Sequence, residues 1–170
     1  MVPPARVLIT RIAADLLSTL QQRHGPLMFH QSGGCCDGSS PMWYPEGDFV
    51  VGDRDVLLGL LDVVCDRQPD GVPLWISGPQ FDAWKHTQLV IDLVPGRGGG
   101  FSLEAPEGMR FLSRGRAFTD DENRQLSAAA AVTGAGYEKG ERPAGPRGEI
   151  VAEAADACAI PKGHAAQVHG

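Results

Sequence analysis

The sequence predicts an α+β domain made mainly of short β-strands with one N-terminal helix. Three observations predict it. A single long amphipathic stripe occurs, close to the N-terminus. From residue 27 onward the apolar residues come in short runs set off by Gly, Pro, Asp and Ser. Ten of the aromatic side chains, all but Tyr137, lie between Phe29 and Phe118. Short apolar runs bounded by turn formers suit strands, and the clustered aromatics mark the stretch that can offset its own ordering entropy by burial.

In chain order, Val7-Leu-Ile reads as a strand. Thr10 caps a helix with an apolar stripe of Ile12, Ala13, Leu16, Leu17 and Leu20. Asp15 stands toward its positive end, Arg23 and His24 stand at its negative end, and Gly25-Pro26 terminates it. Leu27-Met-Phe-His-Gln is a strand, and Ser32 to Pro45 is a loop around Ser32-Gly-Gly-Cys-Cys-Asp-Gly-Ser-Ser. Strands follow at Asp48-Phe-Val-Val, Asp55-Val-Leu-Leu and Val72-Pro-Leu-Trp-Ile-Ser. Residues 55–65 also satisfy a helical period through Val56, Leu57, Leu60, Leu61 and Val64, and the strand is preferred. Pro79 to Lys85 forms a helical turn and Gln88-Leu-Val-Ile-Asp-Leu-Val a strand. Pro95-Gly-Arg-Gly-Gly-Gly turns the chain, and Phe101-Ser-Leu-Glu with Met109-Arg-Phe-Leu makes a closing hairpin.

Residues 1–125 are expected to hold the domain. Residues 126–170, with Ala128-Ala-Ala-Ala, Gly134-Ala-Gly and Lys139-Gly-Glu-Arg-Pro-Ala-Gly-Pro-Arg-Gly, offer few large apolar side chains and read as a mostly disordered tail. A short helix over Glu149 to Ala159 is the element considered there.

The 170 residues carry a net charge of −6 and are 42% hydrophobic. No apolar run approaches the roughly 18 residues of a membrane span, and the absence of a Lys/Arg block argues against nucleic acid. The four cysteines, Cys35, Cys36, Cys65 and Cys158, are too few and too irregular for a disulfide framework, and Met1-Val-Pro-Pro does not open a signal peptide. A cytoplasmic, reducing location with free thiols is expected.

The sharpest chemical signal is Gly33-Gly-Cys-Cys-Asp-Gly. Glycines on both sides of two thiols let the backbone bend and let an ion approach. His30 precedes the pair by five residues and His86 follows Trp84-Lys85. Cys35, Cys36, His30 and His86 are therefore the candidate metal ligands, and thiolate with imidazole suits zinc, iron or copper. Adjacent cysteines lack the spacing of structural zinc sites, so burial of one as a small apolar group stays open, and Asp37 suits a turn. Pro95-Gly-Arg-Gly-Gly-Gly-Phe fails both phosphate-loop templates, which argues against a nucleotide. No Gly-x-Ser-x-Gly or His-Glu-x-x-His occurs, and a dyad of Cys36 with a histidine is the runner-up chemistry. Met42-Trp-Tyr-Pro reads either as a binding patch or as a lid over the loop.

Residues 6–122 resemble a family of small bacterial proteins of unknown function that are often encoded beside aldehyde dehydrogenases. The resemblance rests on His30-Gln-Ser-Gly-Gly-Cys-Cys-Asp-Gly-Ser-Ser-Pro-Met, Ile76-Ser-Gly-Pro-Gln-Phe, Trp84-Lys-His-Thr, Asp92-Leu-Val-Pro-Gly-Arg-Gly-Gly-Gly-Phe-Ser-Leu-Glu and Arg110-Phe-Leu-Ser-Arg-Gly-Arg. A more distant similarity, to A-type iron–sulfur carriers of the HesB/IscA kind, is carried by the opening helix, by Gly33-Gly-Cys-Cys-Asp-Gly and by Gly100-Phe-Ser-Leu-Glu-Ala-Pro. Those carriers close their site with two further cysteines where this chain has Ser113-Arg-Gly-Arg-Ala-Phe, so cluster transfer is not implied. Arg114 and Arg116 stand there instead, as a cationic contact or as solvated arginines.

The resemblance and the thiol loop together imply an accessory protein of aldehyde metabolism that holds a metal or touches a partner aldehyde dehydrogenase. The alternatives are a thiol redox or Cys-nucleophile enzyme acting on an aldehyde-derived substrate, and a structural or regulatory binding module.

Overall fold

The computed structural model describes residues 3–31, 41–95, 109–143 and 147–152. The chain opens with β1 (Val7–Thr10), every residue of which is buried, and runs directly into α1 (Arg11–His24). Thr10 Oγ1 accepts the Ala13 N–H at 3.3 Å and relieves one of the unpaired donors at the helix start. Gly25, at φ +81°, closes the helix with its N–H on the Gln21 carbonyl at 2.8 Å, a left-handed conformation that favours glycine. The stripe is rotated from the one expected. Ala13, Ala14, Leu17, Leu20 and Gln21 are buried while Ile12 is 50% exposed. The face centred on Leu17 meets the sheets, and Ile12 lies on the opposite side of the first turn.

The remaining elements are β2 (Leu27–Gln31), β3 (Met42–Pro45), β4 (Val56–Leu61), β5 (Val72–Ile76), α2 (Gly78–Trp84), β6 (Thr87–Pro95), β7 (Met109–Ala117), α3 (Asp120–Ser127), β8 (Val132–Thr133), α4 (Gly134–Glu138) and β9 (Ile150–Val151). The architecture is mixed α and β with short strands, as expected, but three short helices join the N-terminal one. Each starts on a capping hydroxyl: Ser77, Thr119 and Thr133. At α3 the cap is reciprocal, since Thr119 accepts the Glu122 N–H and Glu122 accepts the Thr119 N–H. Asp48 to Val51 is not a strand. Gly47 at φ +97° and the Asp48 N–H on the Pro45 carbonyl turn the chain there instead. Met109–Leu112, expected in a hairpin around residue 105, pair with β6, and the first arm of that hairpin lies outside the described residues.

Two sheets result, ordered β7-β6-β1-β9 and β3-β2-β5-β4-β8. Between them lies the main core, with Val7, Ile9, Leu89, Ile91 and Phe111 of the first sheet facing Leu27, Phe29, Val56, Leu74 and Ile76 of the second. Phe29 and Phe111 meet edge to face across it at 5.1 Å. In β4 the register slips between Leu57 and Gly59, which makes Leu58 an extra residue. Hence Val56, Leu58 and Leu61 face the main core while Leu57 and Leu60 face the outside of the sheet.

Residues 126–143 and 147–152, which composition assigns to a tail, complete both sheets. β8 pairs with β4, and β9 pairs with β1. Gly148 donates its N–H to the Leu60 carbonyl at 2.7 Å and accepts the Asp62 N–H at 2.9 Å, while the Glu149 carbonyl accepts the Ile9 N–H at 3.3 Å. This segment therefore laces β4 of one sheet to β1 of the other. Only a few side chains, such as Val132 and Val151, are buried in doing so. The lacing is by backbone, which composition does not register. The helix considered from Glu149 is likewise replaced at its start by β9; Pro161 and the residues before it lie outside the described residues.

Candidate functional site

His30 is the anchor of the site. It stands on β2 with the side chains of the odd-numbered neighbours, Phe29 and Gln31, turned inward, so its own ring lies on the outer face of the second sheet, beside Trp75 of β5. It is 5% exposed. Its Nε2 lies 3.2 Å from Asp55 Oδ2, the oxygen that also accepts the Gly52 N–H at 2.9 Å. A carboxylate accepts only, so Nε2 carries the proton in this contact. Phe49 packs on the imidazole at 4.6 Å and Tyr44 on Phe49 at 4.7 Å.

β2 and β3 pair antiparallel with His30 opposite Met42, so the Gly33-Gly-Cys-Cys-Asp-Gly segment is the connection of this hairpin. Cys35, Cys36 and Asp37 lie outside the described residues. Gln31, the residue before the connection, accepts a hydrogen bond of 2.7 Å from Ser113 Oγ, buried at the centre of β7. Arg114 and Arg116, read either as a cationic contact or as solvated arginines, are paired internally. Arg114 Nε donates to Asp92 at 2.7 Å, and Arg116 forks onto both oxygens of Glu122 at 3.1 Å. Burial pushes both carboxyls up, but the hydrogen bonds and charges of these arginines, with the Leu93, Thr10 and Thr119 donors, outweigh it and hold them below their ordinary values.

Beside His30 the outer face of the second sheet is hollowed into a cavity of about 220 Å³. Met28, Phe49, Val51, Pro73, Trp75 and Tyr137 give it aromatic and apolar walls, and Glu46 and Glu138 line it as well. Tyr137 meets Trp75 edge to face at 5.4 Å and carries the Arg142 guanidinium on its ring at 3.8 Å. Burial pushes its phenol above the ordinary value. Met42-Trp-Tyr-Pro forms β3, in which Trp43 belongs to the main core and Tyr44 to the wall around Phe49, while the loop it was read as covering lies outside the described residues.

His86 stands apart from His30. It precedes β6 in the first sheet, is exposed, and places Nδ1 3.1 Å from Asn123 Oδ1 of α3. Its neighbours around a second cavity include Arg6 and Lys85. The structure thus does not join the two expected imidazoles, and among the described residues no group of three or more His, Cys, Asp or Glu side chains is placed to hold a metal. Cys65 is a free, half-buried thiol in a turn closed by backbone bonds to Gln68. Asp55, Phe49 and Tyr137, which build the surroundings of His30, escape sequence reasoning. Asp55 is 25 residues from the histidine, and no local pattern links them.

No described helix is long and apolar enough to cross a membrane. No curated protein and no solved structure matches the chain. A family model described as a domain of unknown function (DUF779) matches residues 16–117, from the middle of α1 to the end of β7, and so includes His30, the thiol pair and His86. Since that match spans more than half of the sequence, the chain belongs to the DUF779 family.

Proposed function

We propose that this protein is an accessory protein of aldehyde metabolism that acts through the end of the β2–β3 hairpin, where His30 meets the Cys35-Cys36 connection, to hold a metal ion or to dock a partner aldehyde dehydrogenase. One observation carries the reading: a buried imidazole, fixed through Nε2 by Asp55, stands on the strand that leads into the two thiols. A carboxylate on one ring nitrogen is the usual way a protein sets the tautomer and basicity of a metal-binding histidine. Thiolate and imidazole together suit zinc, iron or copper. His30 is preferred to His86 as the ligand, because Arg6 and Lys85 beside His86 oppose a cation.

The test is metal content of the purified full chain, expressed with each metal, for wild type, Cys35→Ser/Cys36→Ser and His30→Gln. Wild type should carry close to one ion per chain, the double variant none and His30→Gln clearly less. Equal and negligible metal in all three sinks the metal half. For the partner half, an aldehyde dehydrogenase from the same cell should co-purify, and no association at micromolar concentrations refutes it.

The same His30–Asp55 pair favours one second reading, a nucleophilic thiol with an imidazole base that a carboxylate orients. It predicts that Cys35 or Cys36 is alkylated at neutral pH at least about tenfold faster than a free thiol. A rate equal to that of a free thiol excludes it.

A further inference from the structure

The cavity beside His86 has an electrostatic character opposite to that of the whole molecule. Arg6, just before β1, and Lys85 and His86, between α2 and β6, converge on a space of about 350 Å³, with Asn123 and Ser127 of α3 across from them. Among the described residues no carboxylate lines it. That is notable in a chain with 21 acidic and 15 basic residues. Elsewhere in the fold carboxylates meet such cations: His30 has Asp55, Arg114 has Asp92, Arg116 has Glu122, Arg124 has Asp121 and Arg147 has Asp62.

Arg6 is held differently. Its guanidinium donates to the Lys85 carbonyl at 3.1 Å and lies 4.9 Å over the ring of Phe81. Those contacts fix the direction of the planar fork without neutralising its charge. Burial pulls the group below its ordinary value. Phe81, Leu126, Ala129 and Ala131 supply an apolar wall on the same cavity. A fixed guanidinium fork recognises a planar, two-oxygen anion, and an apolar wall beside it suits a hydrocarbon body.

We propose that this cavity binds a small organic carboxylate, its charge on Arg6 with Lys85 and His86 at the rim and its hydrocarbon body against Phe81 and Leu126. The site does not depend on the thiol connection or on the function proposed above.

Calorimetric titration of the full chain tests it with four probes: benzoate, benzyl alcohol, benzylammonium and inorganic phosphate. Benzoate should bind at least about tenfold more tightly than benzyl alcohol, and benzylammonium should not bind. Arg6→Met keeps an apolar stem on Phe81 and should weaken benzoate about tenfold or more, the usual scale for losing a charge-assisted hydrogen bond. Should Arg6→Met unfold by circular dichroism, Lys85→Met/His86→Gln alters exposed side chains only and should still weaken benzoate several-fold. Cys35→Ser/Cys36→Ser should bind benzoate as wild type, which separates this site from the one at His30. Equal affinity for benzoate and benzyl alcohol, unchanged affinity in a folded Arg6→Met, or binding of phosphate in preference to benzoate would each overturn the proposal.

Discussion

Gly148→Ala should destabilise the protein far more than an alanine at an ordinary surface glycine, because residue 148 lies where the two sheets are laced. A Cβ there would sit 2.2 Å from the Val7 carbonyl oxygen and 3.1 Å from Leu61 Cδ2. Neither neighbour can step aside: Val7 is paired with Leu89 and Leu61 with Val72. The segment itself must retreat, and with it go Gly148 N–H to Leu60, Asp62 N–H to Gly148 and Ile9 N–H to Glu149. At about 0.5–1.5 kcal/mol for each net hydrogen bond, the expected loss is about 3 kcal/mol. The matched control is Gly140→Ala, where φ is +98° and no atom lies within 4 Å of the added Cβ, so backbone strain alone costs about 1 kcal/mol. Urea unfolding followed by tryptophan fluorescence measures both, with an unchanged slope for each variant. A Gly148→Ala protein within about 0.5 kcal/mol of wild type would refute the insertion of this segment between β1 and β4.

Two further outcomes follow from buried polar groups. Gln68 accepts from Gln21 and from the Leu27 N–H, and donates to the Leu27 carbonyl and to Glu46. Gln68→Leu strands the buried Leu27 peptide groups and should cost about 3 kcal/mol in the same urea assay; a loss below 1 kcal/mol would count against this network. The Glu122 carboxyl is held below its ordinary value of 4.5, so its contribution is complete above that pH and is lost as pH falls through the lower, folded value. Glu122→Gln should therefore be less stable than wild type at pH 7 and lose less on acidification below about pH 4.5, whereas stability curves running parallel to wild type from pH 7 to pH 3 would contradict the Arg116 fork.

Much of the fold was legible because its early elements are local statements. Thr10, Gly25 and the apolar face of α1 declare that helix, and β2, β5 and β6 are apolar runs with turn formers at their ends. The ambiguity over residues 55–65 has a physical cause. The extra residue at Leu58 shifts the alternation of β4 by one, so a strand acquires the spacing of a helix. Thr119-Asp-Asp-Glu is a readable capping box, but it contains no apolar residue and so leaves no mark in the apolar pattern. β9 was not readable at all, since it is recruited by backbone hydrogen bonds at a glycine.

The two histidines show the same division for function. Both look alike in sequence, each an imidazole at the edge of an apolar run. What separates them is contributed by residues far along the chain. Asp55 and Phe49 make His30 a buried, oriented imidazole on the strand that leads into the thiol connection. Arg6, from before the first strand, and Asn123, from α3, place His86 in a cationic hollow. The proposed metal cation belongs with the first setting and the proposed anion with the second, because a fixed positive charge within a few ångströms costs a bound cation what it gives a bound carboxylate. Sequence spacing could nominate both imidazoles, but only the charges that the fold gathers around each decide which sign of ligand it can hold.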